Sequence, residues 1–303
     1  MANQFKNYLH SLIKGEDLSS SEMGALMSLI MTGKLSSAQI ASCLVAMQIK
    51  GAIPNEIAAA ALVMREHSNK VLVKDSQYLI DTCGTGGDSL QTFNVSTISA
   101  IVAAAAGAKV AKHGGRSVSS KCGSADVLEA LGVDVNLDYK RLGQLVDTIG
   151  IGFMFAPNYH PAMKYVASVR KELEVRTMFN LLGPLTNPAS TSKQVVGVYS
   201  KELTTTFAEV LQKLGSKHVL VVHGEDGMDE ISITGKTFVA ELKDNVVKEY
   251  TIEPSMFNLK VASLEDIIVE SPAHSKKMIL DILSGRLSVA RDITLLNAGA
   301  AIY

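Results

Sequence analysis

Residues 3 to 68 place apolar side chains at helical spacing and show little of the alternation a strand would carry. Phe5, Leu9, Leu12 and Ile13 mark a first helix, which Gly15 ends. Ser19-Ser20-Ser21-Glu22 offers an N-cap for a second helix, whose apolar residues are Met23, Leu26, Met27, Leu29 and Ile30. Ser36 or Ser37 can cap a third over 38–49, and Pro54 opens a fourth over 56–67. The pattern predicts a small bundle. Its apolar faces exceed what one thin layer needs, so they either cover a larger domain or pair with a second copy of the chain.

From Val71 the period changes. Strand-like segments at 78–81, 108–111, 152–155, 194–198 and 218–223 alternate with helical ones at 94–106, 125–131, 139–149, 161–173 and 203–214. This order predicts a mostly parallel sheet with helices on its faces. Residues 231–233, 237–242 and 246–251 read as strands of an antiparallel edge, and 275–303 return to helices. The expected fold is therefore α/β: a small N-terminal helical bundle domain over 1–70, plus a large domain over 71–303 with a mostly parallel central sheet flanked by helices. A helix near 161–174 is expected to pack on the bundle.

Composition narrows the class. Of 303 residues, 47% are hydrophobic and 19% charged, enough apolar material for a sizeable core. A net charge of −1 gives no basic field for nucleic acid. No uncharged apolar run approaches the ~20 residues that span a bilayer. Three cysteines (Cys43, Cys83, Cys122) without paired metal spacing favour a reducing cytoplasm.

The chemistry concentrates between Ile80 and Asp126. The strand ending at Ile80 runs into D-T-C-G-T-G-G-D, with Gly84, Gly86 and Gly87 closed by Asp88. A hydroxyl-rich segment with Thr92, Asn94, Ser96 and Thr97 then opens an Ala-rich helix. Glycines let backbone N–H groups approach an anion, and a helix N-terminus adds partial positive charge. A second cradle follows in K-H-G-G-R-S-V-S-S, with Lys112, His113, Arg116 and a run of serines. Two anion-friendly loops joined by one helix suit a ligand with phosphates at both ends. The first loop is neither a Walker A loop nor the dinucleotide fingerprint, since no Gly-Lys-Ser/Thr follows and the third glycine is misplaced. Further on, Asp229-Glu230 supplies adjacent hard oxygen ligands in a loop, as Mg²⁺ prefers.

D-T-C-G-T-G-G-D, T-F-N-V-S-T, K-H-G-G-R-S-V-S-S-K-C-G-S-A-D-V-L-E-A-L-G, R-T-M-F-N-L-L-G-P-L-T-N-P and H-G-E-D-G-M-D-E-I-S together resemble the anthranilate phosphoribosyltransferase family. The likeness runs in order from the first helices to the last residue. It implies the type III phosphoribosyltransferase fold, a homodimer formed through the helical domain, and a step of tryptophan biosynthesis in the cytoplasm. It also implies that Gly84, Gly87, Asp88, Thr92, Asn94, Val95, Ser96 and Thr97 bind phosphoribosyl pyrophosphate (PRPP). The same substrate would be held by Lys112, His113, Gly114, Gly115, Arg116, Ser117, Val118, Ser119, Ser120 and Ser124. Anthranilate would meet Gly84, Gly115 and Arg170. Two Mg²⁺ ions per subunit would be held by Ser96, Asp229 and Glu230. Pro184 and Asn187 are expected to shape the aromatic substrate's channel. No side chain is expected to act as a general acid or base, because anthranilate's amine is already neutral near pH 7; Lys112 and Arg116 would act electrostatically.

The chain departs from the family in three places. Gly115 stands where the family has asparagine, and Glu174 where it has glycine, close enough to Arg170 to compete for it. The chain also ends on Ile302-Tyr303 inside an apolar helix, short of the family's last helical segments. Two other readings compete. One is a nucleoside phosphorylase or altered-acceptor transferase of the same fold; the other is a non-enzymatic paralogue that binds a polyanion or nucleic acid.

Overall fold

A computed structural model describes residues 2–116 and 121–303. It begins with helices α1 (Ala2–Ile13), α2 (Ser20–Met31), α3 (Ser37–Lys50) and α4 (Pro54–Glu66). Reciprocal capping boxes start two of them: Ser19 with Glu22 at α2, and Ser36 with Gln39 at α3. Helix α2 packs along α4, and α1 along α3. Met23, Leu26, Ile30 and Leu44 are wholly buried between them.

Strand and helix then alternate as β1 (Leu79–Gly84), α5 (Val95–Ala105), β2 (Lys109–Gly114), α6 (Ser124–Ala130), α7 (Tyr139–Ile149) and β3 (Ile151–Phe155). Three short helices follow: α8 (Ala156–Tyr159), α9 (Ala167–Leu173) and α10 (Phe179–Leu182). The chain continues through β4 (Lys193–Gly197), α11 (Leu203–Lys213), β5 (His218–Gly224), β6 (Thr237–Lys243) and β7 (Val246–Ile252). It closes with α12 (Pro272–Leu283) and α13 (Val289–Ile302).

The strands form one seven-stranded sheet in the order β3-β2-β1-β4-β5-β6-β7. From β3 to β5 every pairing is parallel; β6 and β7 add an antiparallel edge. The order reverses beside β1, because β2 lies on one side of it and β4 on the other. Ligands bind at such switch points, beyond the carboxyl ends of the strands. One apolar cluster runs from the bundle (Phe5, Leu44, Met64) through Phe207 and Leu211 of α11 to Val196, Val221 and Ala240 on the sheet. The other face is covered by α5 and α13, where Ile98 and Ile293 meet Val110, Val195 and Val222. Both faces are filled, so the C-terminal edge of the parallel strands is left for the loops.

Two expected elements differ. The helix expected over 161–173 is broken into a 3₁₀ turn, Pro161–Tyr165, and α9. Val166 sits at the break with φ −115° and is wholly buried in the cluster shared with the bundle. Turning that side chain inward outweighs keeping one helical register. Helix α9 itself packs on α3. Residues 231–233 alternate like a strand, and Ile231 and Ile233 are buried, yet the segment pairs with no strand. The groups that satisfy its backbone lie elsewhere.

Candidate active site

Five parallel strands deliver their C-terminal ends to one edge. Strand β1 ends in Gly84 and leads into Gly86, Gly87 and Asp88; β2 ends in Gly114; β5 ends in Gly224 and leads to Asp229-Glu230. The first glycine loop and the acidic loop are in direct contact. Gly86 N–H donates to Asp229 Oδ2 at 2.8 Å, and Ser96 N–H at the start of α5 donates to Glu230 Oε1 at 3.0 Å. Glu230 therefore sits at a helix N-terminus, where the helix dipole favours negative charge. This approach needs glycines. A Cβ on Gly84 would stand 2.4 Å from Asp229 Oδ2, and one on Gly197 would stand 1.5 Å from the Asp229 carbonyl oxygen.

Asp229 and Glu230 are carboxylates held where carboxylates are uncomfortable. Burial raises both well above the usual carboxylate range, helped by the charge of Asp88 at Asp229 and by that of Asp229 at Glu230. Asp88 is raised for the same first reason, loss of water. None of the three has a lysine, arginine or histidine at ion-pair distance among the described residues. Lys112 offsets part of this repulsion at Glu230, and a divalent metal would remove the rest. Among the described residues no three Asp, Glu, His or Cys side chains converge enough to hold an ion alone. Mg²⁺ usually keeps waters and shares substrate phosphate oxygens, so it needs few protein ligands. Ser96, the third predicted ligand, lies beside them, and its hydroxyl accepts from Lys112 Nζ at 3.1 Å.

Lys112 is only 3% exposed. Its ammonium donates to the Thr82 carbonyl and the Ser96 hydroxyl, so one of three N–H bonds is left for a ligand. Beneath it lies Asp81, wholly buried. Its carboxylate accepts from the His113 N–H at 3.2 Å and from Asn187 Nδ2 at 2.7 Å. Asn187 also donates to the Ala111 carbonyl and accepts from Ala189 N–H. Its amide is thus committed to joining β1, β2 and the segment after α10, which leaves it no free polar atom for a substrate channel. Pro184 is likewise buried.

His113 makes an internal pair. Its Nδ1 lies 3.2 Å from the Gly183 carbonyl, which can only accept, so Nδ1 carries the proton. Its Nε2 then accepts from Nε2–H of His160, also at 3.2 Å. Burial pushes His113 down to about 3 and His160 to about 4. Both rings are neutral at physiological pH and too weakly basic to keep a proton taken from a substrate. A depressed histidine costs stability as pH falls, because only the unfolded chain takes up the proton. Stability should therefore decline from about pH 6.5 toward pH 4, by up to about 1.4 kcal/mol per unit for each ring. Thermal melts of His160→Gln should show a shallower decline over that range; an unchanged slope would exclude this pair as the cause.

The second cradle is described in part. Ser117, Val118, Ser119 and Ser120 lie outside the described residues. Gly114 packs on Phe153 and Ser124, and Gly115 accepts at its carbonyl from Ala125 N–H. A Cβ on Gly115 would meet nothing within 4 Å. Arg116 is engaged by acidic side chains of α6: its guanidinium is bidentate to Glu129 at 2.6 and 2.7 Å and reaches Asp126 at 2.9 Å. In this arrangement it ties the loop to α6.

Arg170 is half-buried on α9, over the ring of Phe179 at 5.8 Å, with no carboxylate at ion-pair distance among the described residues. Burial lowers its guanidinium from the ordinary value, so a carboxylate ligand would be welcome there. Glu174 does not compete for it. Its φ of +51° places it in the left-handed region at the end of α9, which explains glycine as the better residue there and turns the carboxylate outward.

Residues 76–303 match the a/b domain of the glycosyl transferase family, and residues 6–68 match that family's helical bundle domain. The anthranilate phosphoribosyltransferase of Methylobacillus flagellatus is 56% identical over 97% of this chain and 86% of its own length. The crystal structure of the Thermus thermophilus enzyme superposes with a TM-score of 0.92 at 43% identity, covering 98% of this chain and 88% of that one. The Saccharomyces cerevisiae enzyme in complex with PRPP and Mg superposes with a TM-score of 0.90 at 31% identity, covering 98% of this chain and 87% of that one. The chain belongs to the anthranilate phosphoribosyltransferase family.

Within that family frame, some predicted PRPP positions are occupied by internal contacts. Val95 and Thr97 point into the core at 1% and 2% exposure, and their N–H groups donate to the Phe93 and Asn94 carbonyls. The Asn94 amide donates to the Cys122 carbonyl, and its oxygen accepts from the Ser275 hydroxyl on α12 and the Cys122 thiol. Thr92 pairs by a single β-bridge with Ile268. The first cradle is thus pinned from the far end of the chain. Arg176 went unassigned in the sequence although it stands in the quoted R-T-M-F-N motif. It donates to the Gly87 carbonyl at 2.6 Å and stacks over Tyr199 at 4.1 Å, holding the glycine loop from outside.

Proposed function

We propose that the protein transfers the phosphoribosyl group of PRPP to the amine of anthranilate, yielding N-(5-phosphoribosyl)anthranilate and pyrophosphate, with Mg²⁺ required. The observation that carries this reading is the contact between the first glycine loop and the Asp229-Glu230 pair at the strand ends, with Lys112 alongside. A nucleoside phosphorylase needs no such carboxylate pair, and a non-specific polyanion binder gains nothing from carboxylates turned toward its ligand.

Backbone N–H groups of the loop from Gly87 onward and the remaining N–H of Lys112 hold and orient the phosphates. Asp229, Glu230 and Ser96 would hold two metal ions, which when bound neutralise the pyrophosphate and ease its departure. As the C1–O bond to pyrophosphate breaks, positive charge grows on the ribose, and the neutral amine nitrogen forms the new C1–N bond. Its surplus proton passes to water or a phosphate oxygen, since both nearby histidines are poor bases. Arg170 orients the acceptor carboxylate as a planar fork. The exposed apolar side chains Ile13 and Ile49 of the bundle support a homodimer through the helical domain. The buried thiols of Cys43, Cys83 and Cys122, the last donating to Asn94, support a cytoplasmic setting.

The test is loss of anthranilate fluorescence with PRPP and Mg²⁺. Turnover of another aromatic amine but not of anthranilate would sink the acceptor assignment. Gly115→Asn has room to be accommodated, and a restored amide hydrogen bond of about 0.5–1.5 kcal/mol would lower the anthranilate KM roughly two- to tenfold. PRPP KM should stay put. An unmoved anthranilate KM would show that the missing amide does not matter for binding.

A further inference from the structure

We propose that Asn297, on α13, is a positioning residue for the metal-binding carboxylates, acting through the backbone of Ile231. The proposal rests on reading Asp229 and Glu230 as Mg²⁺ ligands. Ile231 follows Glu230 directly and belongs to the segment that alternates like a strand but has no strand partner. Asn297 takes that partner's place. Ile231 N–H donates to Asn297 Oδ1 at 2.9 Å, and Asn297 Nδ2 donates to the Ile231 carbonyl at 2.9 Å. The second Nδ2 hydrogen goes to the Ile293 carbonyl one turn back, at 3.0 Å, which fixes the amide plane. Asn297 is 2% exposed and Ile231 3%, so water cannot substitute for either bond.

A planar amide that both donates to and accepts from one residue fixes orientation as well as position. Two other restraints on the acidic pair act on its carboxylate oxygens: Gly86 N–H on Asp229 and Ser96 N–H on Glu230. Those oxygens are the atoms a metal would claim. The Asn297 bonds touch only backbone, so they persist whether the oxygens hold protons, amides or a cation. They are also placed to resist the repulsion that would splay adjacent carboxylates apart. Helix α13 is anchored for this task, since Ile293 is wholly buried on the same helix and α13 packs along α5, whose first turn meets Glu230.

The experiment compares wild type with Asn297→Ala and Asn297→Asp, and with Ile293→Val as a core control on the same helix. Two quantities are read: the Mg²⁺ concentration for half-maximal activity, and the rise in Tm on adding Mn²⁺ with pyrophosphate. Loss of an outer partner of a metal ligand typically costs 10–100-fold in metal affinity. Asn297→Ala should therefore raise the Mg²⁺ requirement about tenfold or more and shrink the Tm rise, with anthranilate KM unchanged. Asn297→Asp keeps the acceptor for Ile231 N–H but turns a carboxylate oxygen toward the Ile231 and Ile293 carbonyls, and should raise the Mg²⁺ requirement at least as far as alanine does; if the alanine variant does not fold, the aspartate decides. Ile293→Val should lower Tm without moving the metal dependence. Asn297 variants that behave like Ile293→Val would overturn the positioning role. A wild type indifferent to Mg²⁺ would instead defeat the metal reading beneath it.

Discussion

Asp229→Asn and Glu230→Gln, singly or together, should lower kcat/KM by roughly 10³-fold or more, the rate equivalent of the several kcal/mol a metal supplies to charge separation. Both substitutions preserve shape, and their amide oxygens can still accept from Gly86 and Ser96, so the fold should survive. In metal-free protein the Asp229→Asn chain should be the more stable one above neutral pH. The sign follows from the raised carboxyl: its folded affinity for the proton exceeds that of the unfolded chain. The stability this confers is full at low pH and is lost as pH rises through the folded value. An asparagine has no proton to lose. Steady-state rates and melts between pH 6 and 8.5 test both halves. Retention of wild-type turnover by the double variant would remove the metal from the mechanism.

Gly197→Ala should be among the most damaging single-methyl changes in the chain. The added Cβ would lie 1.5 Å from the Asp229 carbonyl oxygen and 2.3 Å from its carbon, both backbone atoms that no rotamer change can move. Gly197 is also paired on both sides, to Gly84 of β1 and Val222 of β5, so β4 has little freedom to retreat. A loss of roughly 3 kcal/mol is expected from such overpacking, together with loss of metal-dependent turnover in whatever fraction folds. Gly84→Ala meets chiefly the movable carboxylate of Asp229 and should harm activity more than stability. Gly235→Ala, in the same acidic loop, would make an ordinary 3.6 Å contact and serves as the control. Equal melting temperatures for the Gly197 and Gly235 variants would contradict the close packing of β4 on residue 229.

Much of the site was legible because its chemistry is local. Glycine, hydroxyl and lysine residues cluster within short stretches after strands, and phosphate binding needs that clustering. Asp229-Glu230 was legible as an adjacent pair. What escaped was whatever depends on residues far apart in sequence. Arg176 reaches Gly87 across 89 positions, Ser275 reaches Asn94 across 181, and Asn297 reaches Ile231 across 66. Ser275 and Asn297 carry no local signal, since a buried Asn or Ser on an amphipathic helix looks like a tolerated polar residue; Arg176 stood in a motif, but its partner did not show there. The strand expected at 231–233 failed for the same reason: apolar residues at alternate positions say nothing of whether a strand or a side-chain amide satisfies the backbone, and Ser232 between them is buried as well.

From the order of residues alone came the helical bundle, the alternation that forces a mostly parallel sheet, the antiparallel edge and the two anion cradles. These follow from hydrophobic period and from glycine and hydroxyl chemistry, which act over a few residues. The tertiary structure decided which loops touch. It brought the acidic pair against the first glycine loop, turned Arg116 onto Glu129, closed His113 against His160 and seated Asn297 under Ile231. Those are outcomes of packing helices on both faces of a twisted sheet, where one shared core sets the distance between strand ends that no local pattern encodes.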